Sequence, residues 1–225
     1  VDSKIIDEPA YRNRIFIFKD RLHAGELLAH KLKNYVKNEN AQALAIPAGG
    51  VPVGFMASKI LKIPFDIIIV RKIQIPWNPE AGIGAVTWNG TVILNEPLIT
   101  QLGLSADDVK GCISRTREAV SERFRLFRGE KPPPNLKDKT AVLIDDGLAS
   151  GFTMLAAVKS VEKQKPSKII IAIPTASASA VELLTASVDM LICLNIRGGP
   201  VFAVADAYRE WYDLSDQEVL EFLKK

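Results

Sequence analysis

Apolar positions along the chain fall into two alternating rhythms. Runs at 43–47, 65–70, 141–144, 168–173 and 188–195 are short and nearly continuous, the pattern of strands buried on both faces of a parallel sheet. Between them the spacing turns helical. After Asp20, an N-cap candidate, Leu22, Leu27, Leu28, Leu32, Tyr35 and Val36 recur on one face and predict a helix to about Tyr35. Further helices are expected at 51–61, 105–128, 152–164 and 178–185, and a last one follows Ser215-Asp-Gln-Glu218, which reads as a capping box. This alternation predicts an α/β fold, a doubly wound, mostly parallel sheet with helices on both faces. Residues 1–13 carry little periodic signal, and Ile15 to Phe18 form only a short apolar run. Residues 73–82, interrupted by prolines, read as a loop with Trp77 at the tip of a mobile flap; 83–87 and 91–94 read as a hairpin across Asn89-Gly90.

Composition sharpens the picture without changing it. A chain of 225 residues, 48% of them hydrophobic, can bury one substantial core. We read residues 1–225 as a single domain, its core about 40–195 and its flanks 1–39 and 196–225. The net charge of +3 disfavours a dedicated nucleic-acid binder. The arginine-rich helix at 105–128 also carries Asp107, Asp108, Glu118 and Glu122, the mix of a solvated face. Two cysteines, Cys112 and Cys193, suit a reducing compartment better than a disulfide framework. No apolar run approaches the roughly 20 residues of a membrane span, so a soluble, cytoplasmic protein is expected. His23 and His30 lack any accompanying ligand set and are given no chemistry.

The chemistry gathers at 141–154. Ala141 to Ile144 would be a buried strand, Asp145 and Asp146 stand at its carboxyl end, and Gly147 to Thr153 would curl into a helix start. In α/β sheets ligands bind at that edge. Backbone N–H groups at a helix start favour a phosphate, and paired carboxylates suit ribose hydroxyls or a hydrated magnesium ion. A second anion site is suggested by Ala48-Gly49-Gly50, between a strand and a helix, and by Arg71 and Lys72, which would end the second strand. A tight turn and a solvated basic pair are the plainer readings of those residues. Gly82-x-Gly84 is too short for a dinucleotide fingerprint. Tail aromatics Phe202, Tyr208, Trp211 and Tyr212 suit a core, or the face of a planar ring.

The run Ile144-Asp-Asp-Gly-Leu-Ala-Ser-Gly-Phe-Thr153 resembles the phosphoribosyl pyrophosphate signature of type I phosphoribosyltransferases. The Ala48-Gly49-Gly50 turn is similar to the family's pyrophosphate loop, and Val70-Arg71-Lys72 to its basic strand end. Phe18-Lys-Asp-Arg21, Asn78-Pro79-Glu80 and the tail resemble a stand-alone branch of predicted phosphoribosyltransferases. The resemblance implies that Asp145 and Asp146 bind the ribose hydroxyls and magnesium. It implies that Gly147, Leu148, Ala149, Ser150, Gly151, Phe152 and Thr153 wrap the 5-phosphate, and that Ala48, Gly49, Gly50, Arg71 and Lys72 hold the pyrophosphate. It also implies a small hood built from the termini, a homodimer, and transfer of phosphoribosyl to an unknown nitrogen acceptor, a nucleobase among the candidates.

Three positions depart from the pattern. Ala48 stands where close relatives often have arginine, Ser150 replaces threonine, and Ala149 occupies the place of an aspartate that handles the base proton in enzymes for 6-oxopurines. Glu80 is the carboxylate candidate for that catalytic role, or a structural residue. The alternatives are a sensor that binds phosphoribosyl pyrophosphate or a nucleotide without turnover, and a phosphohydrolase, for which the aspartyl DxD spacing is missing.

Overall fold

Which strands the apolar runs form, and what they pair with, is seen in a computed structural model. It describes residues 4–36, 40–75 and 77–225, with 78–81 described by backbone alone. In chain order the elements are β1 (Ile5–Asp7), α1 (Arg21–Leu32), β2 (Ala41–Ala45), α2 (Gly50–Leu61), β3 (Phe65–Ile67), β4 (Val70–Ile75), β5 (Asn78–Thr87) and β6 (Val92–Leu94). Then follow α3 (Glu96–Leu102), α4 (Ala106–Arg128), β7 (Thr140–Ile144), α5 (Phe152–Glu162), β8 (Lys168–Ser177), α6 (Ala178–Thr185), β9 (Met190–Arg197) and α7 (Asp216–Leu223).

Six strands form one sheet in the order β1-β9-β8-β7-β2-β3, every neighbouring pair parallel. Alternation along the central strands sends side chains to two helical layers. Val142, Ile144 and Ile170 join Leu28 and Leu32 of α1 and Val53 and Ala57 of α2. Leu143 and Ile171 join Met154, Ala157 and Val161 of α5 and Leu184 of α6. Burying each of these large aliphatic side chains contributes about 2 kcal/mol. From β2 the chain winds through α2 outward to β3, and from β7 it winds through α5 the other way to β8. The winding therefore reverses between β2 and β7, which opens a crevice at their carboxyl ends.

The expected strand at 65–70 divides. β3 ends at Ile67, and the chain leaves the large sheet: Ile68 N still donates to Ala45 O, but Trp88 N already donates to Ile69 O. Burial persists through Ile68 and Ile69, so the run looked continuous while its hydrogen-bond partner changed from β2 to β5. β4 then pairs antiparallel with β5, and β5 with β6, in a separate three-stranded sheet. Residues expected as a loop at 73–82 are accordingly mostly strand. Trp77 does sit at the turn between β4 and β5 and is 62% exposed, and Asn89-Gly90 makes the β5–β6 hairpin. α4 and α5 pack on this small sheet and α7 packs on α2 and α4, so that Ile73, Ile83, Val109 and Val219 share one cluster.

Two short elements were absent from the periodic reading, β1 and α3. β1 adds three residues to the edge of β9, so the large sheet reaches beyond 40–195, and α1 belongs to its helical layer. Leu22, expected inside, is exposed; α1 turns Arg21, Ala24, Leu28 and Leu32 inward instead. Among the described residues no helix is long and apolar enough to cross a membrane.

Candidate functional site

β7 lies between β8 and β2, and its residues Ala141 to Ile144 are fully buried. The first polar residues it delivers to the crevice are Asp145 and Asp146. Asp146 N donates to Asp145 Oδ1 at 2.8 Å, which fixes one carboxylate against the backbone. Across the crevice, the turn after β2 carries Ala48 and Gly49 into α2. A Cβ on Gly49 would stand 1.9 Å from Asp146 Oδ2, so only glycine allows the two loops to meet this closely. Burial pushes both aspartates above the usual carboxylate range, Asp145 furthest because the Asp146 charge adds to burial.

Asp146 has a cation of its own. Arg21 Nε donates to Asp146 Oδ2 at 2.9 Å, with the two side chains only 7% and 13% exposed. Arg21 also donates from Nη1 to Tyr212 O at 2.8 Å, and its guanidinium lies 3.9 Å from the centre of the Trp211 ring. Tyr208 OH donates to Asp146 O at 2.5 Å, and burial, with the Asp146 charge, keeps its phenol protonated well above the ordinary range. Sequence reasoning gave Arg21 no role in the site and left Tyr208 between core and ring contact. One signal for Arg21 was available: an arginine directly after the Asp20 cap sits at the positive end of a helix, where a cation is disfavoured unless something compensates.

Beyond Asp146 the loop is pinned to the end of β8. Leu148 N donates to Thr175 O, Ser177 N donates to Leu148 O, and Ser177 Oγ donates to Ala149 O at 2.6 Å. The chain then turns at Gly151, with φ of 80°, into α5. A cavity of about 360 Å³ opens here, lined by Asp145, the whole loop from Gly147 to Thr153, Lys72, Gly82, Gly84 and Val204. The Lys72 stem passes over Gly82, where a Cβ would be 2.3 Å from Lys72 Cγ. Of the residues singled out in sequence, the structure brings together Asp145, Lys72 and Gly147 to Thr153, with Gly49, Gly50 and Asp146 adjoining. Arg71 is not among that cavity's lining; it turns to the α4 side of β4. The Glu80 side chain lies outside the described residues.

A pair of acids, a backbone cradle at a helix start and a cation on a flap thus converge at the switch point of the sheet. Such a site can hold a polyol at the carboxylates and a phosphate at the loop.

Comparison with known proteins agrees. The family model for the phosphoribosyl transferase domain matches residues 18–207. A Mycobacterium tuberculosis (strain H37Rv) protein, provisionally named a phosphoribosyl transferase, is 35% identical over 214 residues, 93% of this chain and 47% of its own length. The chain thus spans about half the length of the curated relatives it matches. Among solved structures, the protein TT1426 from Thermus thermophilus is 31% identical, with a TM-score of 0.74 over 92% of this chain and 97% of that one. The AQ2163 protein from Aquifex aeolicus, 12% identical, shares the fold with a TM-score of 0.50 over 84% and 78% of the two chains. The chain belongs to the phosphoribosyl transferase domain family, and its sheet and helices have the type I phosphoribosyltransferase fold.

Proposed function

We propose that the protein transfers phosphoribosyl from phosphoribosyl pyrophosphate to a nitrogen nucleophile, a nucleobase being the first class to try, with magnesium. The observation that supports this most directly is the cavity in which Asp145, the loop 147–153 and Lys72 face one space. In the reaction the bond from sugar C1 to the pyrophosphate oxygen breaks while a bond to the acceptor nitrogen forms, and the acceptor nitrogen gives up a proton. Asp145 and Asp146 would hold the ribose hydroxyls, and the N–H groups of the loop would hold the 5-phosphate. Lys72, on the flap, would meet the charge that develops on the leaving diphosphate.

Among the described residues no cluster of three acidic, histidine or cysteine side chains could hold a metal alone. Magnesium usually binds through one or two carboxylates plus substrate phosphates. Arg21 pairs with Asp146, and burial beside that charge favours the protonated form of Asp145; a cation carried in with the substrate would favour its ionised form. Asp145 and Asp146 are the residues that would hold it, and when bound it would neutralise the leaving pyrophosphate. Ala149 has no proton-accepting side chain, so Glu80 is the proposed base.

The test is pyrophosphate release from phosphoribosyl pyrophosphate across a panel of nucleobases and other nitrogen acceptors. We expect release with one acceptor class, dependent on magnesium and lost in Asp145→Asn/Asp146→Asn. Intact binding with no release across the panel would count against transfer. It would support the second reading, a sensor, which is favoured by one observation: with Ala48 uncharged and Arg71 facing α4, Lys72 is the one cation among the described residues of the cavity lining.

A further inference from the structure

β4 separates two cavities. Its Val70 joins the cluster of Leu148 and Met154, and Lys72 on the same row lines the cavity already described. The opposite row faces α4, where Ile73 and Ile75 join Val109 and Cys112. On that side Arg71 lines a second cavity of about 170 Å³, with Lys72, Gln74, Cys112, Arg115, Thr116 and Ala119. Three cations face this space, and no carboxylate is among its described lining residues. Just outside it, Arg123 donates to Asp216 at 2.6 Å, and Glu122 and Asp216 are the acids whose charge reaches Arg71. Burial first, and the Arg123 charge second, pull the Arg71 guanidinium below its ordinary value, while Asp216 and Glu122 act the other way. Among the described residues Arg115 donates to the thiol of Cys112, at 3.3 Å, a weak acceptor for a guanidinium.

We propose that the cavity between β4 and α4 is a second anion site that takes a diphosphate group, supplied by free pyrophosphate or by a nucleoside diphosphate. Guanidinium groups present paired N–H donors that match phosphate oxygens, and Arg71 and Arg115 bring two of them to this space. Neither α4 nor Arg115 belongs to the donor cavity, so the site is separable from it. Lys72 stands at the rim of both. An anion at α4 therefore draws on the same ammonium as the donor cavity, which makes the site suited to a product or nucleotide that tunes occupancy of the flap.

Calorimetric titration of the full chain, once with pyrophosphate and once with ADP, tests this. In Asp145→Asn/Asp146→Asn, one binding event per chain is expected to survive. Arg115→Gln should weaken that event about tenfold, and Ala119→Glu, which puts a carboxylate into the cavity, should remove it. Both should leave binding of phosphoribosyl pyrophosphate with magnesium intact in the otherwise unchanged protein. Binding of pyrophosphate alone assigns the free anion, and binding of both assigns the nucleotide. Loss of every event in the aspartate variant, or indifference to both α4 substitutions, would overturn the site. If phosphoribosyl pyrophosphate never binds while the event sensitive to Arg115 persists, the transfer reading falls and this one stands.

Discussion

Asp146 is held from three directions, by the Arg21 guanidinium, the Tyr208 hydroxyl on its carbonyl and the bare Cα of Gly49. Removing one partner of a mostly buried ion pair leaves the other charge uncompensated, which typically costs about 3 kcal/mol. Arg21→Gln should therefore lower the melting temperature by roughly 10 °C. It should also enlarge the stabilisation that added magnesium gives, because a cation would then replace the missing guanidinium. Calorimetric melts with and without magnesium check both, and a melting temperature within about one degree of the parent would sink the argument. At this scale the acids and the glycines were legible, since adjacent Asp145-Asp146 after an apolar run needs no tertiary information. Arg21 was not, because its partner lies 125 positions away in sequence. Arg71 and Lys72 were legible as cations but not as a divided pair; neighbours on a strand face opposite ways, and that shows only once 70–75 is known to be a strand rather than the end of one.

The loop from Gly147 to Gly151 owes its shape to β8, which runs past the point where its apolar signal stops, to Ser177. Ser177 caps α6 by accepting from Ala180 N at 3.1 Å while donating to Ala149 O. Ser177→Ala removes both bonds and should cost about 1–2 kcal/mol. It should also weaken phosphoribosyl pyrophosphate binding several-fold, read by titration, while Ser177→Thr restores most of it; unaltered binding in the alanine variant would show that the loop holds itself. α7 offers a different handle. Glu218 accepts from Ser215 N at 2.9 Å and Ser215 Oγ at 2.8 Å, which holds its carboxyl below the ordinary 4.5. A depressed acid contributes stability that is present above its unfolded value and lost as pH falls through the folded one. The protection of the Val219 amide, which donates to Ser215 O, relative to its intrinsic exchange rate should therefore fall below about pH 4.5 in the parent and lose that dependence in Glu218→Gln. Helices of this kind were readable from caps and spacing. The β3–β4 break was not, because continuous burial looks the same whether a strand continues or hands over to another sheet.

Across the whole molecule, segments 16–21 and 206–212, far apart in sequence, meet at the site. Phe18 is bridged to Tyr208 and fully buried, Phe16 N donates to Asp206 O, and Arg209 N donates to Phe18 O, so residues 16–21 and 206–212 form one layer over Asp146. The sequence marked both segments as flanks of a core but could not show that they touch, since neither has a repeating pattern that names the other. Their contact puts a spectroscopic reporter in place. The Trp211 ring covers the Arg21 guanidinium, which in turn holds Asp146, so any ligand that draws on Asp146 changes the charge held against that indole. Binding of phosphoribosyl pyrophosphate with magnesium should therefore shift or quench tryptophan emission with the same saturation curve as titration gives. The chain has three tryptophans, Trp77, Trp88 and Trp211. If the signal passes through Arg21, it survives Trp77→Phe at the flap tip, disappears in Trp211→Phe, and is muted in Arg21→Gln even where ligand still binds. If it follows Trp77 instead, the β4–β5 turn is the moving part and the layer of residues 16–21 and 206–212 is a passive wall.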